Sequence, residues 1–403
     1  MKIATKHTAA GILFFCWIII VLQSFYILEV RYPELLDRIG LERPVRWVLK
    51  SVGLKHENRF FVLSRDEDRS KLKRELESID EYSTYLTEDE FEGFSIESKQ
   101  EYEGIGVSLQ PTTAGALVNE VFKGSPAESS GLEKGDVITH IDDLDIRTWK
   151  FPDIVEHIRG GDGSTIRLIV LRNEGILNFT LHRGSVAIPS IRRVHLTDDG
   201  ILYLKIDQFG EKTAIEFLKS VSPYLSRPLK GLVIDLRENT GGVFHAALDM
   251  LDAFYEKGAV MLKTKATNTE KMKSHLARHG DPLRDLPTII LVNRNTASSS
   301  EIVAGSLQVT GKALLIGERT LGKGSIQTVY SLRDGDAYKK TTSYYYLPDG
   351  TSIHKVGIRP DIEINLTIDS YRAYRAREDA GIAPYETDED PYWIEALKYI
   401  RQG

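Results

Sequence analysis

Gly231-Leu232-Val233-Ile234-Asp235-Leu236-Arg237-Glu238-Asn239-Thr240-Gly241-Gly242 opens on an apolar run and closes on a polar turn with paired glycines. A short apolar run without alternation reads as a strand covered on both faces, the habit of parallel sheets. A helical pattern over 244–254 follows the turn. The same grammar returns downstream, with a strand over 288–292, a polar turn from Asn293, a helix over 300–308 and a strand over 313–316. Upstream, a strand over 200–206 precedes a helix over 213–225. Such alternation predicts a layered α/β core over residues 184–366 and excludes a sandwich.

On either side the texture changes. Residues 97–183 carry short strands, glycine turns and two helical stretches, a compact β-rich module. Residues 29–96 are charged and mostly helix-patterned, with Leu72, Leu76 and Ile79 on one face of an amphipathic helix. Residues 367–403 read as a polar C-terminal tail, partly helical. At the other end, residues 8–28 hold no charge, 21 positions in all. As a helix they would span about 31 Å, enough to cross a bilayer core. No small-residue cleavage site follows before Glu29, and Lys2 and Lys6 precede the run. The expectation is a cytoplasmic tail over 1–8 and an uncleaved transmembrane signal anchor over 9–28. The rest would then lie in the periplasm or another extracytoplasmic space, on a single-pass protein of the cytoplasmic (inner) membrane.

Of 403 residues, 27% are charged and 41% hydrophobic, a globular balance that excludes wholesale disorder. The 52 Lys and Arg against 58 Asp and Glu leave a net charge of −6, which speaks against a nucleic-acid partner. The one cysteine, Cys16, lies in the charge-free run, which excludes an internal disulfide, a Cys-based zinc cluster and thiol catalysis. His275 and His279 are four residues apart on a helix-like stretch, but their polar surroundings read as a solvated face, so no metal is expected. GERTLGKG (317–324) falls short of a phosphate loop. Gly324 stands where Mg²⁺ chemistry needs a hydroxyl, and a strand pattern follows instead of a helix. No cofactor is expected.

Chemistry concentrates in two turns. A tight strand-to-helix turn ending in glycines can aim backbone N–H groups at an oxyanion. The second turn, Asn293 to Glu301, holds three adjacent hydroxyls, Ser298, Ser299 and Ser300. A serine at a helix start is ordinarily a cap. Ser298, however, lies 25 residues before Lys323, and Gln327 follows four residues later. A serine hydroxyl needs a base, and lysine serves as one only when burial lowers its pKa from about 10.4. Ile316, Leu321 and Ile326 are the expected walls of that pocket.

Together these segments resemble the carboxy-terminal processing (tail-specific) proteases. TASSSEIVAG (296–305) is similar to the family's nucleophile segment, GERTLGKGSIQ (317–327) to its lysine segment and IDLRENTGG (234–242) to its oxyanion turn. DGTSIHKVGIRPDIEI (349–364) resembles the closing strand region, and DEYSTYLTEDEF (80–91) the stretch before a PDZ domain. The PDZ resemblance rests on EGIGVSL (103–109), VFKGSPAESSGLEKGDVI (121–138) and HIRGGDGSTIRLIVLR (157–172).

With the transmembrane helix expected from the charge-free run, the resemblance implies an α+β multidomain fold class: that N-terminal helix, a PDZ domain over 97–183 and a ClpP/crotonase-like α/β serine protease core over 184–366. It implies Ser298 as nucleophile, Lys323 as general base and Gln327 as the residue orienting the lysine. Gly241 or Gly242, with the N–H of Ser299, would form the oxyanion hole. In the PDZ module, Gly104, Ile105, Gly106 and Val107 would take a peptide's terminal carboxylate as the peptide adds a strand. Arg159 would make a regulatory contact. Two departures stand out: Ser299 replaces an alanine, and ENTGG lacks the proline of the commoner turn, which softens it. The implied activity is a membrane-anchored serine endopeptidase. It would cut extracytoplasmic proteins near C-termini held by the PDZ domain, which would also gate activity, and there is room for a homodimer. The alternative is a catalytically silent or latent PDZ scaffold that binds protein C-termini or partner proteases; the intact Ser298, Lys323 and Gln327 argue against it. A crotonase-like acyl enzyme would need a coenzyme A pocket, for which the sequence has no motif.

Overall fold

The computed structural model describes residues 66–402, with 162, 281, 284 and 333 left out. The expected anchor (9–28) and the tail before it lie outside the described residues. Among the described residues, no helix is long and apolar enough to cross a membrane.

The run that opened the sequence reading is β12 in chain order, and the elements before it complete the frame. Helix α1 (Asp66–Glu77), strand β1 (Thr84–Leu86) and helix α2 (Glu88–Lys99) lead in. Strands β2 (Glu101–Gly104), β3 (Val107–Thr112) and β4 (Gly115–Val121) follow, then α3 (Pro126–Ser130), β5 (Val137–Ile141) and β6 (Leu144–Asp145). Next come α4 (Phe151–Ile158), β7 (Thr165–Arg172), β8 (Gly175–His182) and β9 (Gly184–Ala187). The core then runs β10 (Ile191–Leu196), β11 (Ile201–Ile206), α5 (Thr213–Val221), β12 (Gly231–Asp235), α6 (Phe244–Leu251), β13 (Val260–Ala266) and β14 (Met272–Leu276). It closes with β15 (Thr288–Val292), α7 (Ser299–Val309), β16 (Leu314–Gly317), β17 (Ser325–Ser331), β18 (Ala337–Tyr346) and β19 (Ile362–Glu363), before α8 (Ile368–Asp379) and α9 (Pro391–Gln402).

Six strands form the central sheet in the order β10-β11-β12-β15-β16-β19, antiparallel only between β10 and β11. Alternate side chains of β11, β12 and β15 enter two different cores, as a strand's period of two requires. Leu202, Leu204, Leu232, Ile234 and Ile290 pack beneath α5, α6 and α7. On the opposite face, Ile201, Tyr203, Val233, Ile289 and Leu291 pack with Tyr392, Trp393, Ala396 and Ile400 of α9. The expected tail is therefore the second lid of the sheet. Residues 299–307 of α7 are buried all round. They are roofed by the second sheet, β1-β18-β13-β14 with β17 on the other edge of β18. Gly305 lets the two layers pack closely, since a Cβ would come 2.7 Å from a Leu347 methyl.

The PDZ module has its own sheet, β3-β4-β5-β7-β8, and its own core around Ile105, Val118, Ile138, Ile154 and Leu168. It joins the rest through one antiparallel ribbon, β2 with β9, whose outer rung is Gly104 opposite Gly184. At the inner end the buried Gln100, in left-handed conformation (φ 55°), donates to Ser190 Oγ at 2.5 Å. Ser190 Oγ lies 2.5 Å from Thr213 Oγ1 of α5. Gly210 fits against this clasp, for a Cβ would collide with the Gln100 side chain at 2.1 Å.

The expected fold class needs correction. The chain is a mixed α/β protein: its principal sheet is mostly parallel with helices on both faces, which is α/β rather than segregated α+β architecture. The described residues contain no membrane-spanning helix. The 66–96 segment is also more than a helical preface, because β1 pairs with β18 in the register Thr84 opposite Lys339.

Candidate active site

Ligand sites of open α/β sheets lie beyond the carboxyl ends of the parallel strands. Strands β12, β15 and β16 are neighbours there, so their following turns converge: 236–243, 293–298 and 318–324.

The first turn is built on Asn239. Its side-chain amide donates to Ile206 carbonyl at 2.8 Å, and its Oδ1 accepts the Gly241 N–H at 2.9 Å. Asn239 thus holds the turn that lacks a proline. Gly241 and Gly242 have φ of 99° and 140°, a region that only glycine occupies readily. A Cβ on Gly242 would lie 1.9 Å from the Phe209 carbonyl oxygen, and one on Gly241 2.7 Å from Ser298 Cβ. The two turns are also laced by Glu238, whose carboxylate accepts from Asn293 (2.7 Å) and Asn295 (2.8 Å) and pairs with Arg375 of α8.

In the second turn the three hydroxyls separate by environment. Ser299 Oγ donates to the Gly242 carbonyl and Ser300 Oγ to the Asn239 carbonyl, both at 3.0 Å. Ser298 stands apart, half-buried, with φ 55° and ψ −118° at the start of α7. A non-glycine residue held there is strained, and such strain clusters at functional sites. The Ser299 N–H belongs to the first residue of α7, so it has no acceptor within the helix. The Gly241 N–H is already taken by Asn239, which leaves Gly242 and Ser299 as the better-placed pair of donors.

The third turn carries Lys323. Burial lowers its pKa below the ordinary lysine range, and Lys339 adds to this, while Asp80 and Glu301 oppose it. The apolar cover is not the expected one. Leu321 is 55% exposed, Ile316 faces the α9 core and Ile326 packs with the main helical core. Instead the Tyr82 ring, brought in by the segment ahead of β1, lies 4.9 Å from Lys323 Nζ. Gln327 is directed elsewhere: its amide donates to Ser325 Oγ (2.9 Å) and Thr341 Oγ1 (3.0 Å). Its place on β17, opposite Thr341 of β18, accounts for that. Among the described residues, no hydrogen bond joins Lys323 Nζ to Ser298 Oγ.

Glu301 links the second and third turns, a role the sequence reading did not assign. Its fully buried carboxylate accepts from the Ser298 N–H (2.8 Å) and Lys323 N–H (2.9 Å) on Oε2. On Oε1 it accepts from the Gly322 N–H (2.7 Å) and the Thr320 hydroxyl (2.6 Å). Burial raises its pKa, and these four donors work against the rise. The signal was present in sequence as Ser-x-x-Glu, a capping-box spacing in which the glutamate reaches back to the serine N–H. Tyr82 carried no such signal, because the contact depends on pairing between residues more than 240 apart in sequence.

The other candidates fall as follows. His275 sits on β14 rather than a helix, bonded to Thr264, while His279 pairs with Asp252. No group of three or more potential metal ligands occurs among the described residues. Gly104, Ile105, Gly106 and Val107 lead into β3, an outermost strand of the PDZ sheet. Arg159 lies 5.8 Å from the Tyr102 ring of β2.

Residues 200–364 match the model of peptidase family S41, and residues 104–182 that of the PDZ domain. The carboxy-terminal-processing protease of Bartonella bacilliformis is 32% identical over 306 residues, covering 74% of this chain and 70% of its own. Carboxy-terminal processing protease CtpA of Bacillus subtilis is 30% identical over 308 residues, 75% of this chain. The chain spans 65% of that relative's length. An S41 protease structure from Bacteroides fragilis shares the fold, with TM-score 0.51 and 17% identity over 81% of this chain and 87% of its own. With the turns, the PDZ module and these likenesses in place, the chain belongs to the carboxy-terminal processing proteases of peptidase family S41.

Proposed function

We propose that the chain is a serine endopeptidase working through a Ser298–Lys323 dyad on proteins whose C-termini its PDZ domain holds. Neutral Lys323 takes the Ser298 proton, and Ser298 Oγ attacks the scissile carbonyl. The tetrahedral oxyanion is held by the N–H groups of Gly242 and Ser299, each such donor being worth roughly 10²–10³ in rate. The lysine returns the proton to the leaving amine, and water, deprotonated by the lysine, then hydrolyses the acyl-enzyme. The observation that carries this reading is the Glu301 carboxylate, which gathers the Ser298 and Lys323 backbones while Ser299 and Ser300 are bonded to carbonyls. An extracytoplasmic site of action rests on sequence alone, on the charge-free run 8–28, and is checked by cell fractionation.

The test is cleavage of an unstructured protein with a free apolar C-terminus by wild type, Ser298→Ala and Lys323→Ala. Both variants should lose more than about 10³-fold in kcat/KM while still binding the C-terminus. Activity surviving Ser298→Ala would move the nucleophile elsewhere. One observation favours a latent resting enzyme as second reading: Lys323 Nζ rests on Tyr82 rather than on Ser298. Wild type that binds the C-terminus but cleaves only after a partner or peptide is added would establish it.

A further inference from the structure

The two N–H groups assigned to the oxyanion come from separate elements, Gly242 from the turn after β12 and Ser299 from the start of α7. An oxyanion hole works only if its donors stand together about 2.7–3.1 Å from one oxygen, so their spacing has to be set. Gly242 is the looser of the two. It is exposed, with φ 140°, beside a buried Gly241. Without a Cβ, its backbone rotates more freely than that of any other residue. Phe209 steadies its neighbours. The Phe209 N–H donates to the Gly241 carbonyl at 2.9 Å, and the Phe209 carbonyl accepts the Val243 N–H at 2.7 Å. In that parallel bridge the N–H and C=O of Gly242 itself point to the other side, away from Phe209. There the Gly242 carbonyl accepts the Ser299 hydroxyl at 3.0 Å. Ser299 is 1% exposed, so packing fixes its side chain. One hydrogen bond thus joins the two residues that carry the donors.

We propose that the Ser299 hydroxyl is a positioning group: it is the tie that sets the spacing of the Gly242 and Ser299 N–H groups around the oxyanion. This rests on the reading of Ser298 as nucleophile and of those two N–H groups as its oxyanion donors. The hydroxyl touches no reacting atom. It acts through Gly242, whose carbonyl it holds against α7, and so removes the backbone rotation that would carry the Gly242 N–H off the oxygen. The need is greater here because position 240 is a threonine, with no ring to stiffen the turn. A buried hydroxyl that merely wants an acceptor would make the same bond. Its removal would then cost stability and leave the transition state untouched, and that difference separates the two roles.

The experiment uses the full chain and a labelled peptide aldehyde, compared by fluorescence anisotropy with the matching peptide alcohol. Ser298 Oγ adds to the aldehyde carbon, the hydroxyl proton passes to Lys323, and the former carbonyl oxygen takes the oxyanion position. The alcohol cannot react. Wild type should bind the aldehyde more tightly than the alcohol, and Ser298→Ala should bind the two alike. Ser299→Ala keeps the N–H and removes only the tie. It should shrink the aldehyde's advantage about fivefold to tenfold, the worth of one net hydrogen bond. It should lower kcat by the same factor, with KM and the alcohol's Kd unchanged. An aldehyde advantage and kcat that stay at wild-type values, or a loss carried by KM and the alcohol alone, would overturn the tie and leave the dyad in place. If wild type shows no aldehyde advantage, or Ser298→Ala keeps it, the nucleophile reading fails and this proposal with it.

Discussion

At the scale of single residues, the lysine is the most informative. An amine becomes a base near neutral pH only if its charged form is made expensive, and here burial dominates that effect. Tyr82 supplies much of the cover, at 4.9 Å from Nζ. Its π face also attracts the ammonium, by about 0.5–2 kcal/mol, which works in the opposite direction. Burial is the largest of the effects that lower this pKa, so Tyr82→Ala should readmit water, favour the ammonium and raise it. The acid limb of the kcat/KM–pH profile should then move to higher pH, with the Tyr82→Phe limb staying close to wild type. A limb that moves to lower pH would mean that the ring's attraction for the cation outweighs its exclusion of water. The turns that carry Ser298 and Lys323 were legible in sequence, because a short apolar strand run ends just before each of them. The lysine's cover was not, since Ile316 and Leu321 are near it in sequence while Tyr82 reaches it through strand pairing. Gln327 was legible as a position, but its bonds to Ser325 and Thr341 follow from the β17–β18 register, which no local pattern announces.

At the scale of elements, the buried strands were the easiest to read, since apolar runs over 288–292 and 231–236 have few other uses. The last two helices were the hardest. Residues 367–403 are polar in aggregate, yet α9 buries Tyr392, Trp393, Ala396 and Ile400 against the sheet. What joins α9 to the catalytic side is a buried ion cluster at the end of β12. Arg237 donates to Asp235 (2.6 Å) and Asp390 (2.8 Å) and lies between the rings of Tyr374 and Tyr392, at 4.9 and 4.8 Å. Removing one partner of such a buried pair costs about 3–5 kcal/mol, because a charge is left without compensation. Asp390→Ala should therefore destabilise the protein by that amount in denaturant titration. It should also lower kcat, because Arg237 begins the turn that ends in Gly241 and Gly242. Unchanged stability would show that Asp235 alone satisfies Arg237.

At the scale of the whole molecule, the PDZ module and the catalytic core each keep a separate hydrophobic interior. The chain leaves for the module and returns from it across a single rung, Gly104 opposite Gly184. Topologically the module is an enlarged hairpin loop, and loop tips of this kind are where chains tolerate insertion and deletion. Replacing residues 105–183 with Asn-Gly, the sequence preferred in two-residue hairpins, should leave β2 and β9 paired and the core folded. Cooperative unfolding and native-like circular dichroism of the shortened chain would bear this out; a molten or insoluble product would show that the module is needed to close the core. The same rung also divides the fold into host and guest. A peptidase scaffold with one tolerant hairpin can accept a recognition cassette, exchange it for another or lose it, while its catalytic turns keep their geometry.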